Sequence, residues 1–284
     1  MHPLSYFGAI ILGIVEGLTE YLPISSTGHL TIAENLLGYP VDDKAYTAYT
    51  AIIQLGAVAA TVLYFFKDIV RLLSAWFRGL LSAQEREHHD YQLAWAVIIG
   101  SIPVGVVGFL GRGAIKGGLR SLWVVATALI LWSGVMWVAE RRHLVLVKQD
   151  RVRGEGKVTM RDGLIIGLVQ CFSLIPGVSR SGATISAGLM DGLDRVTATR
   201  LSFFMAIPAL TAAGLYEGKD VDTTVTPLGQ MAVGIVVAFV VAYASIAWLL
   251  RFVAHHPITA FVWYRVALGL VLIVVLGAGW LTAT

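Results

Sequence analysis

Three charged side chains stand where an apolar chain makes charge expensive. Glu16 and Glu20 lie in the stretch Gly13-Ile14-Val15-Glu16-Gly17-Leu18-Thr19-Glu20, and Arg180 lies in Pro176-Gly177-Val178-Ser179-Arg180-Ser181-Gly182-Ala183-Thr184. A charge at the centre of a membrane helix costs about 2.5–3.5 kcal/mol on insertion scales, so each needs a partner or a task. Glu16 and Glu20 are four apart, which stacks them on one helix face. Two carboxylates there repel unless a cation or an arginine sits between them. With the hydroxyls of Ser25, Ser26 and Thr27 close by, they offer the hard oxygen ligands that suit Mg²⁺ or Ca²⁺. The structural alternative is an ion pair with Arg180 that only joins the two segments, but one arginine does not account for two carboxylates.

The segment around Arg180 opens a helix after a Pro-Gly turn. Free backbone N–H groups, the positive dipole end, the hydroxyls of Ser179 and Ser181 and a forked guanidinium together make an anion trap, and a phosphate is its natural guest. The bland alternative, a serine cap with Arg180 reaching back to water, is disfavoured by how deep Arg180 sits. His29 follows three hydroxyls and two glutamates within fourteen positions. A histidine there can shuttle a proton near neutral pH or accept a phosphoryl group. Ser26 is the rival nucleophile, with His29 or a carboxylate as its base, and the residue types leave both open. Gln170 fills the slot that matches Glu16 in the second segment. Gln54 and Arg265, each inside an apolar stretch, either line the pocket or make structural hydrogen bonds. His88-His89 and His255-His256 are expected in solvated loops.

The elements that must position these groups are membrane helices. Of 284 residues 57% are hydrophobic and only 14% charged, against roughly 25% charged in a soluble domain. Six stretches are long enough to cross about 30 Å of hydrocarbon: about 47–66, 91–111, 119–139, 197–216, 229–250 and 260–282. Residues 4–37 and 163–190 are instead broken by Pro23 to His29 and by Pro176 to Gly182. Such breaks free backbone groups that lipid cannot satisfy, so each segment is expected to be a re-entrant helical hairpin whose tip is buried in protein. The two hairpins align at an offset of 154, with Gly13 on Gly167, Glu16 on Gln170, Ser25 on Ser179, Thr27 on Ser181 and Gly28 on Gly182. Three spans follow each copy, and an odd number of crossings inverts the second copy relative to the first. The expected architecture is therefore a single all-α polytopic membrane domain with an inverted-topology repeat: residues 1–140, a basic cytoplasmic loop at 141–162, and residues 163–284. Such repeats place their sites where two broken elements meet near the midplane.

Charge sets the orientation. With both hairpins returning to the side they enter, five lysines and arginines (Lys44, Arg112, Lys116, Arg120 and Lys219) fall on the N-terminal side and fourteen on the other. The richer side is expected to be cytoplasmic, with both termini facing outward. The first apolar stretch lacks a basic leader and carries two glutamates, so it is expected to remain in the mature chain. The net charge of +3 comes without a dense basic run, which argues against a nucleic-acid partner, and a single cysteine, Cys171, excludes an internal disulfide. The number of chains per assembly is left open.

Glu16-Gly17-Leu18-Thr19-Glu20-Tyr21-Leu22-Pro23-Ile24-Ser25-Ser26-Thr27-Gly28-His29 and Pro176 to Thr184 resemble the two signature motifs of bacterial undecaprenyl-pyrophosphate phosphatases of the bacitracin-resistance (BacA) type. Phe203-Phe204-Met205-Ala206-Ile207-Pro208 resembles a further stretch of that family, and the resemblance covers essentially the whole chain. It implies an inner-membrane enzyme that removes the terminal phosphate of undecaprenyl pyrophosphate, a polyprenyl lipid, regenerating the carrier used in peptidoglycan synthesis and conferring bacitracin resistance. It implies a divalent cation, Mg²⁺ or Ca²⁺, at Glu16 and Glu20, and functional roles for Ser26, His29, Ser179, Arg180 and Thr184. A rival of another class is a transporter or flippase for an anionic polyprenyl phosphate, since transporters share inverted repeats and broken helices. Lipid acid phosphatases that use a distant histidine fit poorly, because Ser186 stands where their motif wants one.

Overall fold

A computed structural model describes residues 3–41, 43–116 and 121–283. Arg120 and the side chain of Lys116, both counted in the charge balance, lie outside the described residues, as do the first two positions of the 119–139 stretch. Among the described residues the regular structure is all helical, and the only β-type pairing is an isolated bridge between Arg153 and Leu193. Helices α1 (Tyr6–Thr19) and α2 (Ser26–Leu36) form the first broken pair, followed by α3 (Lys44–Tyr64), α4 (Phe66–Leu81), α5 (His89–Lys116) and α6 (Leu122–Lys148). The second pair is α7 (Met160–Gln170) and α8 (Arg180–Met190), followed by α9 (Arg195–Glu217), α10 (Leu228–His255) and α11 (Thr259–Gly277). Six of these, α3, α5, α6, α9, α10 and α11, are long and apolar enough to cross a membrane. The protein is an all-α polytopic membrane protein.

Two expectations need correction. The basic segment at 141–162 is not a loop along its whole length. Helix α6 continues to Lys148, because charged side chains at the wet end of a helix halt the apolar run without breaking the backbone. Residues 66–81, between the first two spans, form α4, whose Phe66, Val70, Leu73, Phe77 and Leu80 make an exposed stripe at helical spacing. Apolar residues recurring every three or four positions suit an in-plane amphipathic helix rather than a span. The four loop histidines also divide. His255 and His256 end α10 and are exposed, whereas His89 starts α5 and is half-buried against Asp90 at 3.6 Å.

The short helices are stopped by identifiable residues. Pro23 disfavours helical backbone at Leu22, and the chain turns through Ser25, whose φ of 78° is left-handed. In the second pair Gly177 (φ 99°) and Ser179 (φ 77°) make the same reversal. Ser25 and Ser179 then cap the next helices, their hydroxyls accepting from the backbone N–H of Gly28 at 3.4 Å and Gly182 at 3.1 Å. Helices α2 and α8 therefore open with residues at equivalent positions of the repeat, Ser26 and Arg180. At 14 residues α1 is about 21 Å long, too short to cross alone.

Packing follows the same two-fold logic. Helix α1 lies along α10 as α7 lies along α5, while α3 packs on α9 and α6 on α11. Close approach is made by small residues. Gly163 and Gly167 of α7 sit against the backbone of Ala96 and Gly100, and Gly13 and Gly17 of α1 against Gly234 and Ala238. Lipid offers no hydrophobic drive between helices, so such small-residue seams and their van der Waals contacts hold them together. A side chain at Gly167 would run into the carbonyl of Gly100. Gly167→Val should lower detergent-solubilised thermal stability by about 1–3 kcal/mol. Gly134→Ala, with open space around its Cβ, should not.

The charged end is more ordered than a solvated loop. Arg153 holds Asp162 through two bonds of 2.8 and 2.9 Å and reaches the carbonyl of Asp191 at 2.9 Å. Arg71 and Arg200 share Asp68 and Glu155, tying α4 and α9 to the turn at 155–157. Burial, and then the hydrogen bond and charge of Asp162, push Asp191 up to about 6. Folding therefore favours protonated Asp191. The stability this confers is complete below the ordinary carboxylate value of about 4 and is lost as pH rises through about 6. Across that window the unfolding temperature of the wild type should fall relative to Asp191→Asn.

Candidate active site

The two tips meet. Glu20, at the C-terminal cap of α1 and only 4% exposed, accepts at Oε2 from the Ser26 hydroxyl at 2.6 Å and from Gln54 Nε2 at 3.2 Å. Its Oε1 faces Arg180, with Nη2 at 3.3 Å and Nε at 3.4 Å. These guanidinium contacts exceed the 2.7–2.9 Å of a tight charge-assisted bond. Its Nη1 donates to the carbonyl of Ser202 at 2.9 Å, and the Tyr21 ring lies beneath it at 5.9 Å. One carboxylate thus touches a hydroxyl from one tip and a guanidinium from the other.

Around this core the second tip is fastened to the first. Ser181 donates to the carbonyl of Leu22 at 3.0 Å and lies 3.1 Å from the Ser179 hydroxyl. Thr184 shares a 2.7 Å bond with the hydroxyl of Ser202. Arg265, fully buried on α11, is the clamp, reaching the carbonyls of Pro23 at 3.1 Å, Gly177 at 2.9 Å and Val178 at 3.2 Å, and Ser133 Oγ at 3.2 Å. Of the two roles open to Arg265, the structure assigns the structural hydrogen bonds, whereas Gln54 joins the Glu20 cluster.

Glu16 lies a turn before Glu20, fully buried; no hydrogen bond of good geometry reaches its carboxylate oxygens, and Gln54 is the polar side chain beside them. Gln170, its counterpart in the repeat, is likewise buried with both amide atoms unpartnered. The buried Glu16 carboxylate beside Glu20 would suit a hard divalent cation, which takes oxygen ligands. Among the described residues no cluster of three or more His, Cys, Asp or Glu forms an all-protein cage.

His29 does not touch Ser26 or Glu20. Its Nδ1 lies 2.7 Å from the carbonyl of Ser25 and its Nε2 2.7 Å from the Tyr264 hydroxyl, with the two rings stacked at 5.6 Å. A carbonyl only accepts, so Nδ1 carries the proton, and in the neutral ring Nε2 accepts from Tyr264. Thr27 is exposed, and its carbonyl accepts from Thr31 Oγ1 at 2.8 Å. Ser202 and Tyr264 were not foreseen from sequence. Ser202 is a small polar residue in an apolar span and carries no signal, and Tyr264 is marked only by its place next to Arg265.

An all-α, multi-pass membrane protein with a serine, a carboxylate and an arginine joined between two broken helix pairs is the class that fold and site define. The family described as Bacitracin resistance protein BacA matches residues 9–271, and the chain belongs to that family. It is 54% identical to Undecaprenyl-diphosphatase 1 of Streptomyces avermitilis over 95% of this chain and 96% of the relative. It is 52% identical to Undecaprenyl-diphosphatase of Cutibacterium acnes over the same shares, and 46% identical to that of Corynebacterium diphtheriae over 99% and 97%.

Proposed function

We propose that this protein is an integral membrane phosphatase that hydrolyses undecaprenyl pyrophosphate to undecaprenyl phosphate and inorganic phosphate. The reading agrees with the names of its relatives across nearly the full chain, and one observation carries it at the level of atoms: Glu20 bridges the Ser26 hydroxyl and the Arg180 guanidinium. A protein that merely carried an anionic lipid across the bilayer would need the arginine, but not a serine hydrogen-bonded to a buried carboxylate.

Arg180 turns from Glu20 to the pyrophosphate, helped by the N–H groups at the start of α8, and holds the terminal phosphorus before Ser26. Glu20 takes the Ser26 proton at Oε2, the oxygen that already accepts from that hydroxyl at 2.6 Å. The serine oxygen bonds to phosphorus, the bridging P–O bond breaks, and undecaprenyl phosphate leaves as the anion. Undecaprenyl phosphate carries off the proton that Glu20 took from Ser26; water, deprotonated by the restored carboxylate, then attacks phosphorus, the bond to the Ser26 oxygen breaks, and Glu20 returns the proton to the serine as phosphate leaves. Gln54 and Ser202 steady the two charged groups, and His29 positions the Ser25 carbonyl at the turn beneath the nucleophile. Such chemistry is mainly positioning and charge stabilisation. Glu16 and Glu20 would hold Mg²⁺ or Ca²⁺, which neutralises phosphate charge when bound.

In the bilayer of the bacterial inner membrane the two broken pairs are re-entrant, since α1, α2, α7 and α8 are each too short to cross, and they form the inverted repeat around the site. The basic end, with Arg141 to Arg161, faces the cytoplasm, so that both termini and the mouth of the site face outward. Purified protein should release inorganic phosphate from farnesyl pyrophosphate, lose the activity in EDTA, and regain it with Mg²⁺ or Ca²⁺. Absence of phosphate release by folded protein would refute the phosphatase reading.

A further inference from the structure

A polar cavity of about 400 Å³ lies at the arginine-rich end of the molecule, between the last turns of α6, the segment that follows it and the turn after α8. None of its lining residues belongs to the Glu20 cluster. Leu146 and Met190 give it an apolar side, and Arg142, Arg151 and Lys157 stand exposed around it. Its wall is braced by the backbone. Arg153 donates to the carbonyl of Gly192 at 2.8 Å, and Asp194 donates back to the carbonyl of Arg153 at 2.9 Å. Arg142 Nε donates to the carbonyl of Met190 at 2.6 Å, which fixes the guanidinium and leaves Nη1 and Nη2 without a protein partner among the described residues. Arg151 reaches only the Gln149 side chain, at 3.2 Å, and among the described residues Lys157 Nζ reaches none. Of the acids in the lining, Asp191 is met by Arg153 at 3.5 Å and Asp150 is exposed, so positive charge is in excess.

The depth of the cavity in the membrane selects its ligand. Helix α6 has 27 residues and is about 40 Å long, against about 30 Å of hydrocarbon. Trp137 is exposed, and the Arg141 guanidinium lies over its ring at 4.9 Å, a pairing of aromatic and cation that suits the interface. Arg142 is the next residue, so the cavity sits among headgroups. One turn back on the same face Val138 is exposed, as is Leu131 two turns further, an apolar track for acyl chains. We infer that the cavity binds the phosphodiester headgroup of an anionic phospholipid. Its phosphate oxygens accept from the free N–H groups of Arg142 and Arg151 and from the Lys157 ammonium, while its acyl chains follow Val138 and Leu131. Basic pockets beside membrane helices hold anionic headgroups by this combination of charge and depth. A lipid seated there ties the end of α6 to the turn after α8.

The test titrates full-length protein in detergent with phosphatidylglycerol or phosphatidylcholine, with and without inorganic phosphate, and reads bound lipid by native mass spectrometry. Wild type should retain phosphatidylglycerol in preference to zwitterionic phosphatidylcholine. Arg151→Gln with Lys157→Gln should weaken phosphatidylglycerol binding by about thirtyfold, or ~2 kcal/mol, and Arg151→Gln alone by about fivefold. Lys67→Gln with Arg251→Gln removes the same charge from exposed positions at that end of the molecule and should leave binding unchanged. Equal losses in the two double variants would assign the attraction to the whole basic end and overturn the cavity. So would wild-type affinity in Arg151→Gln with Lys157→Gln, or no preference between the two lipids. Displacement of phosphatidylglycerol by inorganic phosphate would give the cavity to a soluble phosphate and overturn the lipid as its ligand.

Discussion

Arg180→Ala is expected to lower phosphate release from farnesyl or undecaprenyl pyrophosphate by about a thousandfold, the scale on which arginines act in phosphoryl transfer. The guanidinium and the Ser26 hydroxyl both contact Glu20. Arg180→Lys should recover little, because an ammonium cannot reproduce the forked contact with Ser202 on one side and an anion on the other. The alanine variant also leaves Glu20 buried without its cation, which could unfold the tip and mimic a chemical loss. Glu20→Gln with Arg180→Leu removes both charges, and it should unfold close to the wild-type temperature while remaining inactive. Near wild-type turnover by folded Arg180→Ala would remove the arginine from the mechanism.

The second large effect is on stability. Arg265→Leu should unfold at a much lower temperature than wild type or fail to accumulate in the membrane. The carbonyls of Pro23, Gly177 and Val178 lie outside helical ladders and take their hydrogen bonds from this one side chain. A buried polar group left bare costs about 1–3 kcal/mol, so losing three is on the order of several kcal/mol. Lysine would restore the charge but not the reach of a planar, five-donor fork, and should recover only part of the loss. Unfolding of Arg265→Leu within a degree or two of wild type would show that the tips are held by other contacts.

Much of this site was legible in the sequence because it is anomalous there. Carboxylates and an arginine in apolar stretches, each beside a proline–glycine or proline–serine break, stand out against membrane composition, and the structure places Glu20, Ser26, Gln54 and Arg180 together. What could not be read is carried by the backbone or by commonplace residues. Apart from the Ser133 hydroxyl, the partners of Arg265 are carbonyls, which leave no trace in residue identity. Ser202 and Tyr264 come from spans distant in the chain, with no pattern to mark them. The six spans were visible as hydropathy, but their ends were not, because α6 runs on past its apolar stretch. Helix α4 carried a signal that was passed over, apolar residues at helical spacing among arginines.

The equivalence of Ser26 and Arg180 has a consequence for the sense in which a diphosphate can lie. Two identical halves would present the same face to either end of the ligand and accept it head-first or tail-first alike. Here the backbone frame is kept in both copies, while one copy places a nucleophile and the other a cation on either side of a single acid. On the proposed mechanism the chamber so formed has a direction: attack comes from one side only, and the phosphate bearing the hydrocarbon is the one that leaves.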